Sequence, residues 1–312
     1  MKKIILAITL IASFTANVKA QDEAIFNHYI INPMLINPAY AGFDDNVVLF
    51  GHLRSQWAGY EKAPKTYALS LSVPVTDKVG LGGVLVSDQL GSLSRLRAKV
   101  NYAYKYATKG VKLSVGFSTE FEQSRLDNSA GTSPNVVGGD PLLQERMKGV
   151  TLFDASFGAC ALINEAFVVS FSTPNLIGAR LNNLNATAGT STFLKQFVLL
   201  GGYRFKTTAA TYEPSLVLRK VYTGAFEAEV NLKASFLDER LILGLTGRPG
   251  KTGQLGLMVG TKLPSFQVMY SYHNSTAEFR TYESTAHEVT VGIMFNKPDS
   301  KIQRGSKKNY RN

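Results

Sequence analysis

The chain of 312 residues holds one cysteine, Cys160, and one tryptophan, Trp57. A lone cysteine closes no intramolecular disulfide, so the disulfide-stapled secreted folds are excluded and the chain needs another source of stability. Beyond residue 20 no apolar run approaches the ~18 residues that a membrane-crossing helix requires. Motifs of common chemistries are missing too: there is no G-x-S-x-G elbow, no zinc-ligand spacing, no phosphate loop and no dinucleotide fingerprint. Of the four histidines, His28, His52, His273 and His287, only His273 has serines at strand spacing, Ser271 and Ser275. Such pairs recur by chance in strand-rich chains, and neither an enzyme nor a cofactor or metal site is expected.

Charge is present but unevenly placed. The formal net charge is +11, a value that raises nucleic acid or an acidic surface as a partner. Lys2, Lys3 and Lys19 belong to the first 20 residues, and the stretch from Lys297 carries six cations against Asp299, a net of +5. The body between them is nearly balanced, so no nucleic-acid partner is expected. Residues 1–20 read as a signal peptide: Lys2 and Lys3, an apolar core over 4–14, and Val18-Lys19-Ala20 as cleavage site. The mature chain then starts at Gln21, and because the residue directly after the cut is not cysteine a lipoprotein anchor is not expected.

What the chain has in abundance is alternation. In 111–121, Val111, Leu113, Val115, Phe117 and Phe121 share one face of a strand, with Lys112, Ser114, Gly116, Ser118 and Glu120 on the other. Residues 225–236 repeat the pattern, with Phe226, Val230 and Leu232 opposite Glu227, Glu229 and Lys233. The same period marks strands near 46–54, 65–73, 79–87, 94–106, 111–121, 150–160, 165–172, 192–205, 211–220, 225–236, 239–247, 253–261, 265–273 and 286–295. About fourteen strands is an even number, as bacterial outer-membrane barrels have. Even-numbered strands are followed by short turns and several odd-numbered ones by longer loops, which places both termini in the periplasm. Aromatic residues make up 11% of the chain, and Tyr102, Tyr104 and Tyr106 share a face, as interfacial girdles require. The expected fold is all-β: a transmembrane antiparallel barrel of about 14 strands over 46–295, with a basic periplasmic tail over 296–312. Its lumen would be lined by Lys99, Asn101, Lys105, Lys112, Glu120, Glu227, Glu229 and Lys233, of mixed sign. A soluble all-β protein is the alternative; a single strand does not distinguish it from its inverse.

Residues 21–45 fit neither strand nor helix. Asn32-Pro33 and Asn37-Pro38 remove two backbone donors and push both asparagines out of the helical region. The stretch is nonetheless apolar, with Ile30, Ile31, Met34, Leu35, Ile36 and Tyr40. Irregular backbone is tolerated at membrane depth only where protein or a cavity surrounds it, so this segment is expected to plug the barrel or cap its periplasmic mouth.

The run NPMLINPAYAG, followed by RSQWAGYEKAPKTYALSLSVP, resembles the N-terminal signature of the PorP/SprF family of type IX secretion outer-membrane proteins. AHEVTVGIMF at 286–295 resembles the closing strand of that family, with Ala286 where a small hydroxyl residue is common. The resemblance implies an outer-membrane component of a secretion and gliding machinery that binds, exports or anchors a secreted, adhesin-like protein with a type B C-terminal sorting domain. Carried over residue by residue, Asn32, Pro33, Asn37, Pro38, Ala39, Tyr40 and Gly42 form either a partner-docking surface or a structural plug. Arg54, Gln56, Trp57 and Gly59 form either an interaction site at the outer end of the first strand or an interfacial anchor. His287 and Glu288, being adjacent, face opposite ways and cannot share a metal or act as an acid-base pair. The basic tail either docks a periplasmic part of the secretion motor or is a solvated extension near lipid headgroups of the outer membrane. A plugged transport channel for small or hydrophobic solutes is the alternative function.

Overall fold

A computed structural model describes residues 26–57, 60, 62–127, 140–177, 179–181, 196–220, 226–250, 253–276 and 285–295. The expected signal peptide and basic tail lie outside the described residues, as does Gly59.

Each window of alternation contains one long strand: β1 (Val47–Gln56), β2 (Lys65–Pro74), β3 (Val79–Leu90), β4 (Leu93–Thr108), β5 (Val111–Leu126), β6 (Val150–Ile163), β7 (Phe167–Thr173), β9 (Phe197–Tyr203), β11 (Ala210–Lys220), β12 (Phe226–Phe236), β13 (Leu241–Arg248), β14 (Gln254–Leu263), β15 (Phe266–Ser275) and β16 (Thr285–Phe295). Two further pieces, β8 (Ala179–Arg180) and β10 (Phe205–Lys206), lie against β6 and β11. Neighbouring long strands pair antiparallel in chain order, β7 meeting β9 and β9 meeting β11. The ring closes because β1 pairs with β16 as well as β2, from Val47 opposite Phe295 to Gln56 opposite Ala286. Closure leaves no edge between first and last strands.

Exposure decides which way the faces point. On β5, Leu113, Val115, Phe117 and Phe121 are 42 to 57% exposed, while Ser114, Ser118 and Glu120 are buried. On β12, Phe226, Val230 and Leu232 are exposed and Glu227, Glu229 and Asn231 buried. A water-soluble sandwich would bury the first set and hydrate the second; here the apolar face is outside, where lipid covers it, and the polar face lines the interior. Ten tilted residues at ~3.3 Å each span about the 25 Å apolar band, which is the length of β1, β2, β14 and β15.

The turns β2–β3, β4–β5, β6–β7, β12–β13 and β14–β15 have two to four residues and share one end of the barrel with Val47 and Phe295. At the other end the connections vary: β11–β12 and β13–β14 have five residues each, and Gly91 and Ser92 alone join β3 to β4. There the sheet itself is extended: β3, β4 and β5 have 12, 16 and 16 residues. The β5–β6 connection contains a helix, α1 (Pro141–Lys148).

Candidate functional site: a plug between two walls

The segment preceding β1 lies inside the barrel. It folds as three successive single 3₁₀ turns, His28–Ile30, Pro33–Leu35 and Pro38–Tyr40. Each proline starts its turn, where its missing N–H has no partner to lose. The asparagines before them lie outside the helical region, Asn32 at φ −132°, ψ 73° and Asn37 at φ −147°, ψ 118°, as the proline ring demands. The turns thereby change direction every few residues, and the segment crosses the lumen and leaves it at the short-turn end.

One wall receives the plug through missing side chains. Gly80 faces Ala103, Ala103 faces Gly116, Gly116 faces Gly158 and Gly158 faces Ser172, a single row of small residues across β3, β4, β5, β6 and β7. A Cβ on Gly80 would sit 1.9 Å from the Ala41 carbonyl oxygen, one on Gly116 2.5 Å from the Ala39 nitrogen, and one on Gly158 1.9 Å from Asn37 Oδ1. Plug backbone therefore rests on wall backbone, an approach only glycine permits. Polar groups complete the seat. Ser114 Oγ donates to the Ala39 carbonyl at 2.7 Å, and Ser172 Oγ to the Ile36 carbonyl at 2.7 Å. Asn37 Nδ2 donates to Ser170 Oγ at 2.8 Å and to the carbonyls of Ala159 and Phe171, while its Oδ1 accepts from the Ala39 N–H at 2.8 Å. Lys105 and Lys112 donate to the carbonyls of Gly42 and Phe43 where the segment leaves for β1.

The opposite wall holds the plug through charge. Glu288 on β16 has no exposed surface; it accepts the Asn27 and His28 backbone N–H groups, each at 3.0 Å, and the Arg54 guanidinium at 3.0 Å. Arg54 is its register partner on β1. Glu229 on β12 accepts the Tyr29 hydroxyl at 2.5 Å and a two-nitrogen contact from Arg248, with Arg219 Nη2 3.6 Å away. Asn231 Nδ2 donates to the Tyr29 oxygen at 2.8 Å.

Beside Glu288 runs a directional chain of hydrogen bonds. Asn32 Nδ2 donates to Ser70 Oγ at 2.7 Å and to His52 Nε2 at 2.9 Å. His52 therefore carries its proton on Nδ1 and donates to Thr290 Oγ1, at 2.7 Å. Thr290 in turn donates to His28 Nδ1, at 2.6 Å, and His28 Nε2 donates to Ser271 Oγ, at 2.8 Å. Both imidazoles are neutral in this arrangement. Burial holds His28 below its ordinary value against the opposing pull of Glu288, in accord with that assignment.

Two chemical readings of this cluster can be tested on its geometry. His28, His52 and Glu288 bring one donor atom each within 4.8 Å of one another, but His52 Nδ1 carries a proton and His28 Nδ1 accepts one, so the imidazole lone pairs are engaged. Ser271, His28 and Glu288 are residue types of a hydrolytic triad. Yet His28 Nδ1 lies 3.6 Å from Glu288 and 2.6 Å from Thr290, and Ser271 has no exposed surface for a substrate to reach. The cluster ties plug to wall.

The residues singled out in the sequence fall into two groups. Asn32, Pro33, Asn37, Pro38, Ala39, Tyr40 and Gly42 lie together in the plug, with Asn32 and Asn37 supplying its side-chain ties. Arg54 turns into the lumen, where it is 3% exposed and held by Glu288. Gln56 ends β1, and Trp57, half-buried at φ 52°, donates its backbone N–H to the Thr285 carbonyl at 2.8 Å. His287 faces outward against Tyr270, with Glu288 inward, as their adjacency requires. Of the expected lumen residues, Asn101, Lys105, Glu120, Glu227 and Glu229 are buried inside. Sequence reasoning missed the glycine row and the roles of Glu288 and Glu229; glycines at inward phase in strand interiors were the available signal.

Among the described residues, a chamber lies on each side of the plug. One, of about 100 Å³, lies toward the long β3–β5 extension above Phe26, Met34 and Leu35. The other, of about 510 Å³, opens toward the short turns beneath Ile30, Ile31 and Tyr40.

No curated protein matches the chain. Among solved structures it resembles the CymD monoaromatic hydrocarbon channel, with 13% identity over 84% of this chain and 91% of that one and a TM-score of 0.51; the likeness shows the barrel fold alone. The Acinetobacter baumannii outer membrane protein Omp33 aligns at 8% identity over 81% and 100% of the two chains, TM-score 0.48. The P. putida toluene transporter TodX aligns at 13% identity over 85% and 94%, TM-score 0.46. The sequence model described as type IX secretion system membrane protein PorP/SprF matches residues 18–293. An outer-membrane barrel of fourteen long strands, with the Asn-Pro-rich opening stretch seated in its lumen, thus belongs to the PorP/SprF family.

Proposed function

We propose that this barrel is a closed, non-catalytic anchor that holds a protein exported by the type IX system, of the kind bearing a type B C-terminal domain, at the outer membrane. The observation that carries this reading is the built seat of the plug. Three wall glycines in register and two buried carboxylates are matched to one conformation of residues 26–43, which is a poor design for a passage that small solutes must open. The mouth where β1 begins and β16 ends is the periplasmic one, the basic tail is a docking element for secretion-motor components, and the extended β3–β5 end faces outside. Mass spectrometry of what copurifies with the protein, tagged after Asn312, from gently solubilised outer membranes is the test. A large secreted protein retained through its C-terminal domain is the expected result. A partner-free preparation that conducts ions in a planar bilayer would replace the anchor with a plugged transport channel.

A further inference from the structure

The smaller chamber, above the plug, has an asymmetric lining. Arg95, Arg97 and Lys99 descend the inner face of β4, and Arg219 joins them from β11; Asp88 is the acidic residue among its lining residues. Glu120 and Glu122 hold Arg97 at 2.8 Å, and Glu120 holds Lys99 at 2.9 Å, but neither carboxylate lines the chamber. Two buried donors in the lining make no hydrogen bond among the described residues. Asn101 Nδ2, on a side chain 2% exposed, makes no hydrogen bond, and Arg219 Nη2 makes none either, although the Arg219 guanidinium stays within ion-pair range of Glu229 at 3.6 Å and Glu227 at 4.0 Å. A buried donor without a hydrogen bond is costly, so Asn101, with the Arg219 guanidinium in the same lining, is shaped for an acceptor that is not part of this chain's described structure.

The rest of the lining narrows the class. The floor is apolar, formed by Phe26, Met34 and Leu35 of the plug, with Val84 and Val86 beside it. Ser118, Ser156 and Ser172 add hydroxyls along the wall, which suit the N–H and C=O groups of a peptide better than a bare acyl chain. A volume of about 100 Å³ admits one end of a chain and no folded element.

We propose that this chamber binds the C-terminal residue of a polypeptide, its free α-carboxylate set against Asn101, Arg219 and the β4 cations and its apolar side chain on the plug floor. The inference rests on the anchor reading and names the part of the held protein that is recognised. It also gives the plug a second use, as the base of a binding site.

The test measures fluorescence anisotropy on the purified full chain in detergent. One probe is a pool of fluorescein-labelled pentapeptides, glycine-serine-glycine followed by two residues drawn from valine, isoleucine, leucine and phenylalanine, with free carboxylates. The second is the same pool as C-terminal amides. The expected result is at least tenfold tighter binding of the acids, with the difference erased in Asn101→Asp and reduced in Asn101→Leu. Equal binding of acids and amides, or no binding of either, overturns carboxylate recognition on the unmodified protein alone, whatever becomes of the variants. Displacement of the acids by hexanoate as effectively as by unlabelled peptide overturns the chain-end assignment, leaving a site for small carboxylates. None of these outcomes touches the anchor reading, which stands or falls on copurification.

Discussion

The plug is held by two walls that achieve the same end in opposite ways. Across β3 to β7 the wall has given up side chains: Gly80, Gly116 and Gly158 let the backbone of residues 37–41 lie against the sheet, and hydroxyls satisfy its carbonyls. Across β11 to β16 and β1 the wall supplies buried charge: Glu288 and Glu229 gather the N–H groups and hydroxyl of residues 27–29, with Arg54 and Arg248 balancing them. Shape complementarity tolerates no added volume, whereas a charged tie tolerates no missing partner. The two walls therefore fail differently, through insertion on one side and deletion on the other.

Gly116→Val combined with Gly158→Val has the largest expected effect. Valine suits a strand, so the wall survives while the plug loses its seat, and the variant should conduct in planar bilayers under conditions where the wild type is closed. A closed double variant would show that the small-residue row is not what holds the segment. Glu288→Ala comes next. It strands Arg54 and two backbone N–H groups in the interior, and breaking a buried pair from one side costs about 3–5 kcal/mol; urea unfolding in detergent measures the loss. If this variant conducts like the glycine pair, the distinction between the walls dissolves. Asn37→Ala removes four contacts on the shape-matched side and should cost about 1–3 kcal/mol in the same unfolding assay, with the lumen still closed. Tyr29→Phe is the mildest: Glu229 keeps Arg248, so the expected loss is about 1 kcal/mol, and a loss as large as that of Glu288→Ala would mean the Tyr29 tie carries the charged wall.

Strand positions were legible from local pattern because period two is a property of the strand itself: each of the fourteen windows holds a long strand, and the faces assigned on β5 and β12 point as expected. The Gly91-Ser92 turn was not anticipated, since alternation locates a strand without saying how far it projects beyond the membrane. Arg54 illustrates the same limit. Its place at the outer end of the first strand left an interaction site and an interfacial anchor open, and only the closed ring shows its side chain meeting Glu288 inside the lumen.

What the sequence determined by itself is therefore local. Alternation sets which face of each strand meets lipid, and Asn-Pro pairs forbid a regular helix in the opening stretch. Only the tertiary structure decided which residues meet across the lumen. Arg54 and Glu288 are 234 positions apart and Asn27 and Glu288 are 261; they become neighbours because β16 closes on β1 in one register. The glycine row likewise exists only when five strands are aligned, since a one-residue slip would turn each glycine to the lipid face. Period and proline chemistry act within a few residues, while register, closure and the path of the plug are settled by the ring as a whole.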